Sequence, residues 1–476
     1  SGILLPSSPT LVSIQILLLI AIMGRGLASV LLASLACSPL MVAAADDSLK
    51  VDSRDNILKS AGTVAKSLMD EYNKGEIPGL LSDEYYFYES GTFMSTLVDY
   101  WHLTGDSTYN DAVKKGLLYQ VGAEDNFMPA NQSANLGNDD QCFWALAAMQ
   151  AVENNFTSPS SDEPQWLTLA KNVFNDQAQR LEAASDTCGG GLRWQIFTFN
   201  AGWNYKNSIS NGCFFDLGAR LARHTGNTTY SKTVVAAYDW LEKTALVNGT
   251  SGAVYDGTNV AQGNCSSIDK MEWSYVAAIL NNGAAYMYNQ TTGDDQKKWQ
   301  DRVQKFTDSI LSKFFPSGIA SEPACETVDT CSVDQVTFKG ITIRWLAAVS
   351  QLAPFTADKI LPVLKTSAEA AAKSCTSSSC SFSWNDTNVK RPKSSGIGER
   401  LNALAAISNL LIADASGPSK GSENATESTG SSPSQTSGSS QASSTNDKGA
   451  AGKGMGLSVA LLTTGLLASA WMGLGF

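Results

Sequence analysis

The stretch Tyr100-Trp-His-Leu-Thr-Gly-Asp106, followed by Tyr109, returns as Leu221-Ala-Arg-His-Thr-Gly-Asn227 before Tyr230 and as Met287-Tyr-Asn-Gln-Thr-Thr-Gly-Asp294 before Trp299. In each copy an apolar segment with helical spacing ends at Thr-Gly, turns through Asp or Asn, and restarts with an aromatic in its first turns. Glycine just past a helix end and Asp or Asn at the next start satisfy the orphan backbone groups of both termini. The repeating unit is therefore a helical hairpin.

Working outward from these turns, 3.6-residue periodicity marks about twelve segments, near 54–73, 86–103, 107–121, 138–154, 162–184, 207–225, 228–246, 272–290, 295–315, 337–351, 357–374 and 398–413. Strand patterns are scarce. Residues 46–415 exceed what one ordinary core holds, yet no Pro/Gly/Ser-rich linker divides them. Twelve helices make six hairpins. Closed into an all-α ring, an α/α toroid with inner and outer helices, they would place the inner helices and their loops around a central cleft.

The two ends differ from the middle. Met23-Gly-Arg25-Gly, the apolar run Leu27 to Val42 and Ala43-Ala-Ala45 follow the order of a secretory signal, so residues 1–45 read as a leader whose true start is Met23. An uncleaved signal anchor is the alternative. Residues 416–448 are mostly Ser, Thr, Gly and Gln, a composition that buries no core and predicts a disordered stalk. Residues 449–476 join a polar spacer to an apolar tail with no Lys or Arg after it, which reads as a removable glycolipid (GPI) anchor signal with Asn446 as the attachment site. A membrane span is the competing reading.

An exported chain explains the eight Asn-x-Ser/Thr sequons, at Asn131, Asn155, Asn227, Asn248, Asn264, Asn289, Asn385 and Asn424. It also explains the cysteines. Of nine, Cys37 lies in the leader, and the remaining even number points to disulfides. Cys325/Cys331 and Cys375/Cys380 can close small local loops, whereas Cys142, Cys188, Cys213 and Cys265 can pair in several ways. A net charge of -11 with two histidines argues against nucleic acid as a partner.

Asp139-Asp140 opens an apolar helix within Leu136-Gly-Asn-Asp-Asp-Gln-Cys-Phe-Trp144. Acidic residues there suit a helix N-terminus by capping and by the dipole. Two adjacent carboxyls can also stand roughly 5 Å apart, the separation that a retaining glycosidase needs, and one of so close a pair holds its proton to higher pH. A second cluster, Cys188-Gly-Gly-Gly-Leu-Arg-Trp194 and Trp203-Asn-Tyr205-Lys206-Asn207, mixes apolar faces with amide and ammonium donors, as sugar sites do. Val254-Tyr255-Asp256-Gly257, Glu272-Trp273-Ser-Tyr275 and Phe338-Lys339-Gly340 repeat an aromatic beside a polar group. His102 and His224 sit at helix ends, where a cation suits the dipole. They leave no histidine zinc site, Gly-x-Ser-x-Gly elbow or P-loop, so no metal and no cofactor is expected.

Together, Gly-Asn-Asp139-Asp140-Gln, Cys-Gly-Gly-Gly-Leu-Arg-Trp194-Gln-Ile, Tyr205-Lys206-Asn207-Ser-Ile-Ser-Asn-Gly212, Val-Tyr-Asp256-Gly and Gly398-Glu399-Arg400-Leu-Asn-Ala resemble glycoside hydrolase family 76, specifically its fungal GPI-anchored mannan endo-1,6-alpha-mannosidase type. The resemblance spans about residues 50–413. It implies a six-hairpin toroid and a retaining mechanism with Asp139 as nucleophile and Asp140 as acid/base. Trp194, Tyr205, Lys206, Asn207 and Asp256 would shape the sugar subsites. The expected activity is cleavage of α-1,6-mannosidic bonds in wall mannan or a GPI glycan, by hydrolysis or by transfer to a β-glucan hydroxyl, at the outer face of the plasma membrane and in the cell wall. A mannan-binding or structural wall protein without turnover is the alternative.

Overall fold

A computed structural model describes residues 49–385 and 396–421. The leader 1–45 with Met23, the stalk beyond Gly421 with Asn424, Asn446 and the 449–476 segment lie outside the described residues.

Among the described residues there are twelve α-helices: α1 (Arg54–Tyr72), α2 (Phe87–Thr104), α3 (Asn110–Tyr119), α4 (Asn138–Glu153), α5 (Trp166–Ala183), α6 (Ser208–Thr225), α7 (Thr228–Lys243), α8 (Ser274–Gln290), α9 (Gly293–Phe314), α10 (Val333–Leu352), α11 (Ala357–Ser374) and α12 (Ile397–Ser408). Two of the three turns end their first helix as anticipated, whereas at the third α8 ends at Gln290 and Gly293 is the first residue of α9. Gly105 and Gly226 close α2 and α6 in the left-handed region, at φ 79° and 71°, and Asn227 Oδ1 accepts the Thr229 N–H at 2.9 Å to start α7.

Even-numbered helices form the inner ring, each packed on the next from α2 through α12, and α12 closes back onto α2. They are buried on nearly all sides, because other inner helices flank them and outer helices cover them. Odd-numbered helices bury one stripe. In α9 it is Trp299, Val303, Phe306, Ile310 and Phe314, and each such side chain contributes about 1.5–3 kcal/mol on leaving water.

The inner helices run parallel. N-terminal residues of neighbours meet at one end, where the Tyr88 N–H donates to Asp140 Oδ1. C-terminal residues meet at the other, where buried Glu153 accepts from Arg220 at 2.6 Å and from Tyr286 at 2.8 Å, and Asn289 donates to the Leu352 carbonyl. The second end is closed by residues 415–421. Arg223 donates to the carbonyls of Pro418 and Ser419, the Ser419 N–H donates to the Glu153 carbonyl, and His102 and His224 lie against the carbonyls of Ser416 and Ser419. Composition alone had assigned residues 416–421 to the stalk; hydrogen bonding makes them part of the folded body.

A small antiparallel sheet of β1 (Tyr205–Asn207), β2 (Gly257–Asn259) and β3 (Ile268–Asp269) sits at the helix-N-terminal end. Cys325–Cys331 and Cys375–Cys380 close the expected local loops, and Cys188–Cys265 ties the glycine-rich loop to the segment between β2 and β3. Cys142 and Cys213 depart from the all-disulfide expectation, being buried thiols on α4 and α6. Asn289 is tied into the fold, its side chain accepting from Arg223 and donating to the Leu352 carbonyl.

Candidate active site

The two sequence clusters meet at the N-terminus of α4. Gly137 bridges Gln195 in antiparallel fashion, the Asn138 N–H donates to the Trp194 carbonyl at 2.8 Å, and the Trp194 N–H donates to the Tyr205 carbonyl at 2.7 Å. Backbone pairing therefore joins segments some sixty residues apart in sequence, and it aims Asp139 and Asp140 at the loops carrying Trp194 and Tyr205.

Asp139 Oδ1 accepts the Asp140 N–H at 3.0 Å, and the Asn207 amide also faces this carboxyl. Asp140 is held differently. Its Oδ2 accepts the Gly137 N–H at 2.8 Å, and its Oδ1 accepts the Tyr88 N–H at 3.1 Å. A β-carbon on Gly137 would stand 2.2 Å from Asp139 Oδ1 and 3.0 Å from Asp140 Oδ2. The two oxygens are therefore at most about 5 Å apart, close enough for a retaining carboxyl pair.

Burial pushes both carboxyls above their ordinary range. For Asp139 the neighbouring Asp140 charge adds to that rise. The positive ends of the inner helices and the donated N–H groups pull the other way. The pair holds one proton to higher pH than an isolated aspartate would.

The other expected residues separate into two groups. Trp194 is 37% exposed, with its ring edge-on to Tyr205. The Tyr205 hydroxyl donates to Asp256 Oδ2 at 2.6 Å. Asn207 caps α6, accepting the Ser210 N–H, while its amide turns to Asp139. These four gather around the start of α4 beside Asp139. Lys206 does not. Its fully buried ammonium donates to the carbonyls of Ala184, Thr187 and Gly190, so it pins the glycine-rich loop instead of presenting a charge to sugar. The three glycines of that loop all have positive φ, and a β-carbon on Gly191 would strike Trp240 at 2.4 Å.

Sequence reasoning missed three residues. Glu89, in the first turn of α2, is fully buried, and its Oε2 accepts the Tyr86 N–H at 2.7 Å. Burial raises it to about 8, with the charges of Asp334 and Asp140 adding to the rise. Its place three residues into an apolar segment was the available signal. Tyr88 and Phe143 line the same end with ring centroids 5.0 Å apart, and Tyr275 continues the row. Their apolar context reads as core until the ring closes. No cluster of three or more metal-ligating side chains occurs among the described residues.

Residues 56–422 match the model of glycosyl hydrolase family 76. The chain is 40% identical over 378 residues to mannan endo-1,6-alpha-mannosidase DCW1 of Saccharomyces cerevisiae, covering 78% of this chain and 82% of that one. It is equally 40% identical to that yeast's mannan endo-1,6-alpha-mannosidase DFG5, over 78% of this chain and 81% of the relative. Among solved structures, Dfg5 from Chaetomium thermophilum in complex with glucosamine superposes with a TM-score of 0.74 at 46% identity, covering 78% and 94% of the two chains. An inactive α-1,6-mannanase variant of Salegentibacter sp. bound to α-1,6-mannotriose superposes at 0.61 with 17% identity, covering 75% and 99%, a likeness of fold.

Proposed function

Because this chain belongs to glycosyl hydrolase family 76, we propose that its cleft cleaves α-1,6-mannosidic bonds with retention, Asp139 attacking the anomeric carbon and Asp140 protonating the departing oxygen. The observation that carries the reading is the pair of buried carboxyls set close together around Gly137. In the reacting form the shared proton sits on Asp140, and the positive charge that develops at the anomeric carbon stabilises the Asp139 carboxylate. The acid then donates it to the leaving oxygen, and as a base it accepts one from the hydroxyl that resolves the mannosyl-enzyme. Trp194, Tyr205, Asn207 and Asp256 form the sugar-facing wall. Lys206 supports that wall from behind.

The acceptor is either water or a hydroxyl of wall β-glucan, and the donor either mannan or the mannose core of a GPI glycan. The curated relatives are mannan endo-1,6-alpha-mannosidases of yeasts, which supports a cell-surface site of action. A GPI tether would keep the cleft where donor and acceptor meet. Release of the protein from cells by a GPI-specific phospholipase tests the tether. For the chemistry, the secreted chain is given α-1,6-mannooligosaccharides with and without a β-1,3-glucan acceptor, and the anomer first formed is read by NMR. Retained products, lost with Asp139→Asn and Asp140→Asn, are expected. Binding of the oligosaccharide without any turnover would replace this reading with that of a mannan-binding wall protein.

A further inference from the structure

We propose that the Tyr275 hydroxyl is a further substrate-contacting group of this cleft, donating a hydrogen bond to a hydroxyl or ring oxygen of the sugar bound over Asp139. The inference rests on the glycosidase reading above and adds a residue to it.

What singles out Tyr275 is an unpartnered hydroxyl on a ring that interacts with both Asp139 and Asp256. The hydroxyls of Tyr100, Tyr205, Tyr238 and Tyr286 each donate to a carboxylate, and those of Tyr72 and Tyr85 each accept a backbone N–H. Half-buried Tyr275 has no protein hydrogen-bond partner for its hydroxyl among the described residues, and that oxygen is not sealed from solvent. The Tyr88 oxygen differs in being enclosed, next to Thr337. An unpartnered phenol beside two cleft carboxyls is a donor free for an external acceptor.

Its position is fixed twice over. The ring stacks on Phe338 with centroids 3.9 Å apart and lies 6.4 Å from Phe143, which is one helical turn beyond Asp139 and Asp140. The backbone beneath is anchored by buried Glu322, which accepts from the Ser274 N–H and, at 2.6 Å, from the Ser274 hydroxyl, while Thr342 donates to that same hydroxyl. The ring therefore cannot swing away to find a partner. The carboxyls of Asp139 and Asp256 both act on the phenol, and with burial they keep it protonated far above neutral pH. It faces the catalytic carboxyl and the cleft wall together, as a permanent donor on a rigid arm.

Tyr275→Phe keeps the ring stack and removes only the donor. With α-1,6-mannotriose as substrate, kcat/KM should fall by about 10–100-fold, the factor that one lost hydrogen bond to a bound polar group produces. The thermal unfolding midpoint should stay unchanged. A second readout uses the inactive Asp139→Asn protein: adding Tyr275→Phe should weaken calorimetric binding of mannotriose at least about fivefold. Cleavage and binding within twofold of the parent proteins would overturn the role of Tyr275 and leave the glycosidase reading intact. A parent protein that neither cleaves nor binds the oligosaccharide would remove both.

Discussion

Asp139 Oδ1 fills the space where a side chain on Gly137 would begin: a β-carbon on the glycine would stand 2.2 Å from it. The backbone there is ordinary extended chain, with φ -92° and ψ 165°, so the requirement is for space alone. Gly137→Ala must displace the carboxyl, and a misplacement near 1 Å costs about a hundredfold in rate. We expect kcat to fall by that order while helicity by circular dichroism is retained. Near-normal turnover would show that the carboxyl seen here is not the working one.

The paired carboxyls set the pH profile. Activity needs one ionised and one protonated group, and both sit above the ordinary carboxylate range because of burial. The bell of kcat/KM should therefore be shifted upward on both limbs relative to unperturbed aspartates near 3.9. In Asp140→Asn, assayed with a donor whose leaving group needs no acid, the basic limb should vanish. The acid limb should remain, since Asp139 must still ionise beside a neutral side chain. A basic limb that persists would take the acid role away from Asp140.

Glu322 links stability to pH. Burial raises its folded-state pKa to about 8, so its contribution to stability is complete below the unfolded value near 4.3 and is lost as pH rises through the folded one. The unfolding midpoint should decline between about pH 4.5 and 8. Glu322→Gln keeps an acceptor for Ser274 and should flatten that decline, as read by calorimetry across the range.

Lys206 should behave as a pin. Lys206→Met strands three buried carbonyls, at about 1–3 kcal/mol for each group left unsatisfied. It should lower the unfolding midpoint and, by loosening the loop that leads to Trp194, raise KM more than it lowers kcat. A large fall in activity at unchanged stability would instead make the ammonium a direct sugar ligand.

Ending the chain after Asp414 removes the strap that closes the second end of the ring, whereas ending it after Gly421 keeps it. At about 1 kcal/mol per net hydrogen bond and roughly 2 °C per kcal/mol in a body of this size, the shorter chain should unfold roughly 5–10 °C lower. Equal midpoints would return residues 416–421 to the stalk.

The hairpin plan was legible because capping is local. Thr104-Gly105 and Thr225-Gly226 end their helices by the conformation that glycine alone adopts easily, and periodicity placed all twelve helices to within a few residues of where they lie. The Asp139-Asp140 pair was legible for the same reason, as neighbours in sequence. Lys206 was misread, since a lysine among aromatics looks the same in sequence whether its ammonium meets sugar or three carbonyls.

By itself the sequence determined the helical ring, the position of the acidic pair at a helix start and the membership of the chain in its family, all of which follow from spacing, capping and motif. Only the tertiary structure decided which partners the acidic pair receives, that Glu89 and Tyr275 stand beside it, and that residues 416–421 close the far end. Those facts depend on contacts between helices far apart in sequence. Burial there shifts proton affinities and leaves or fills hydrogen-bond positions, and neither effect is written in any one segment.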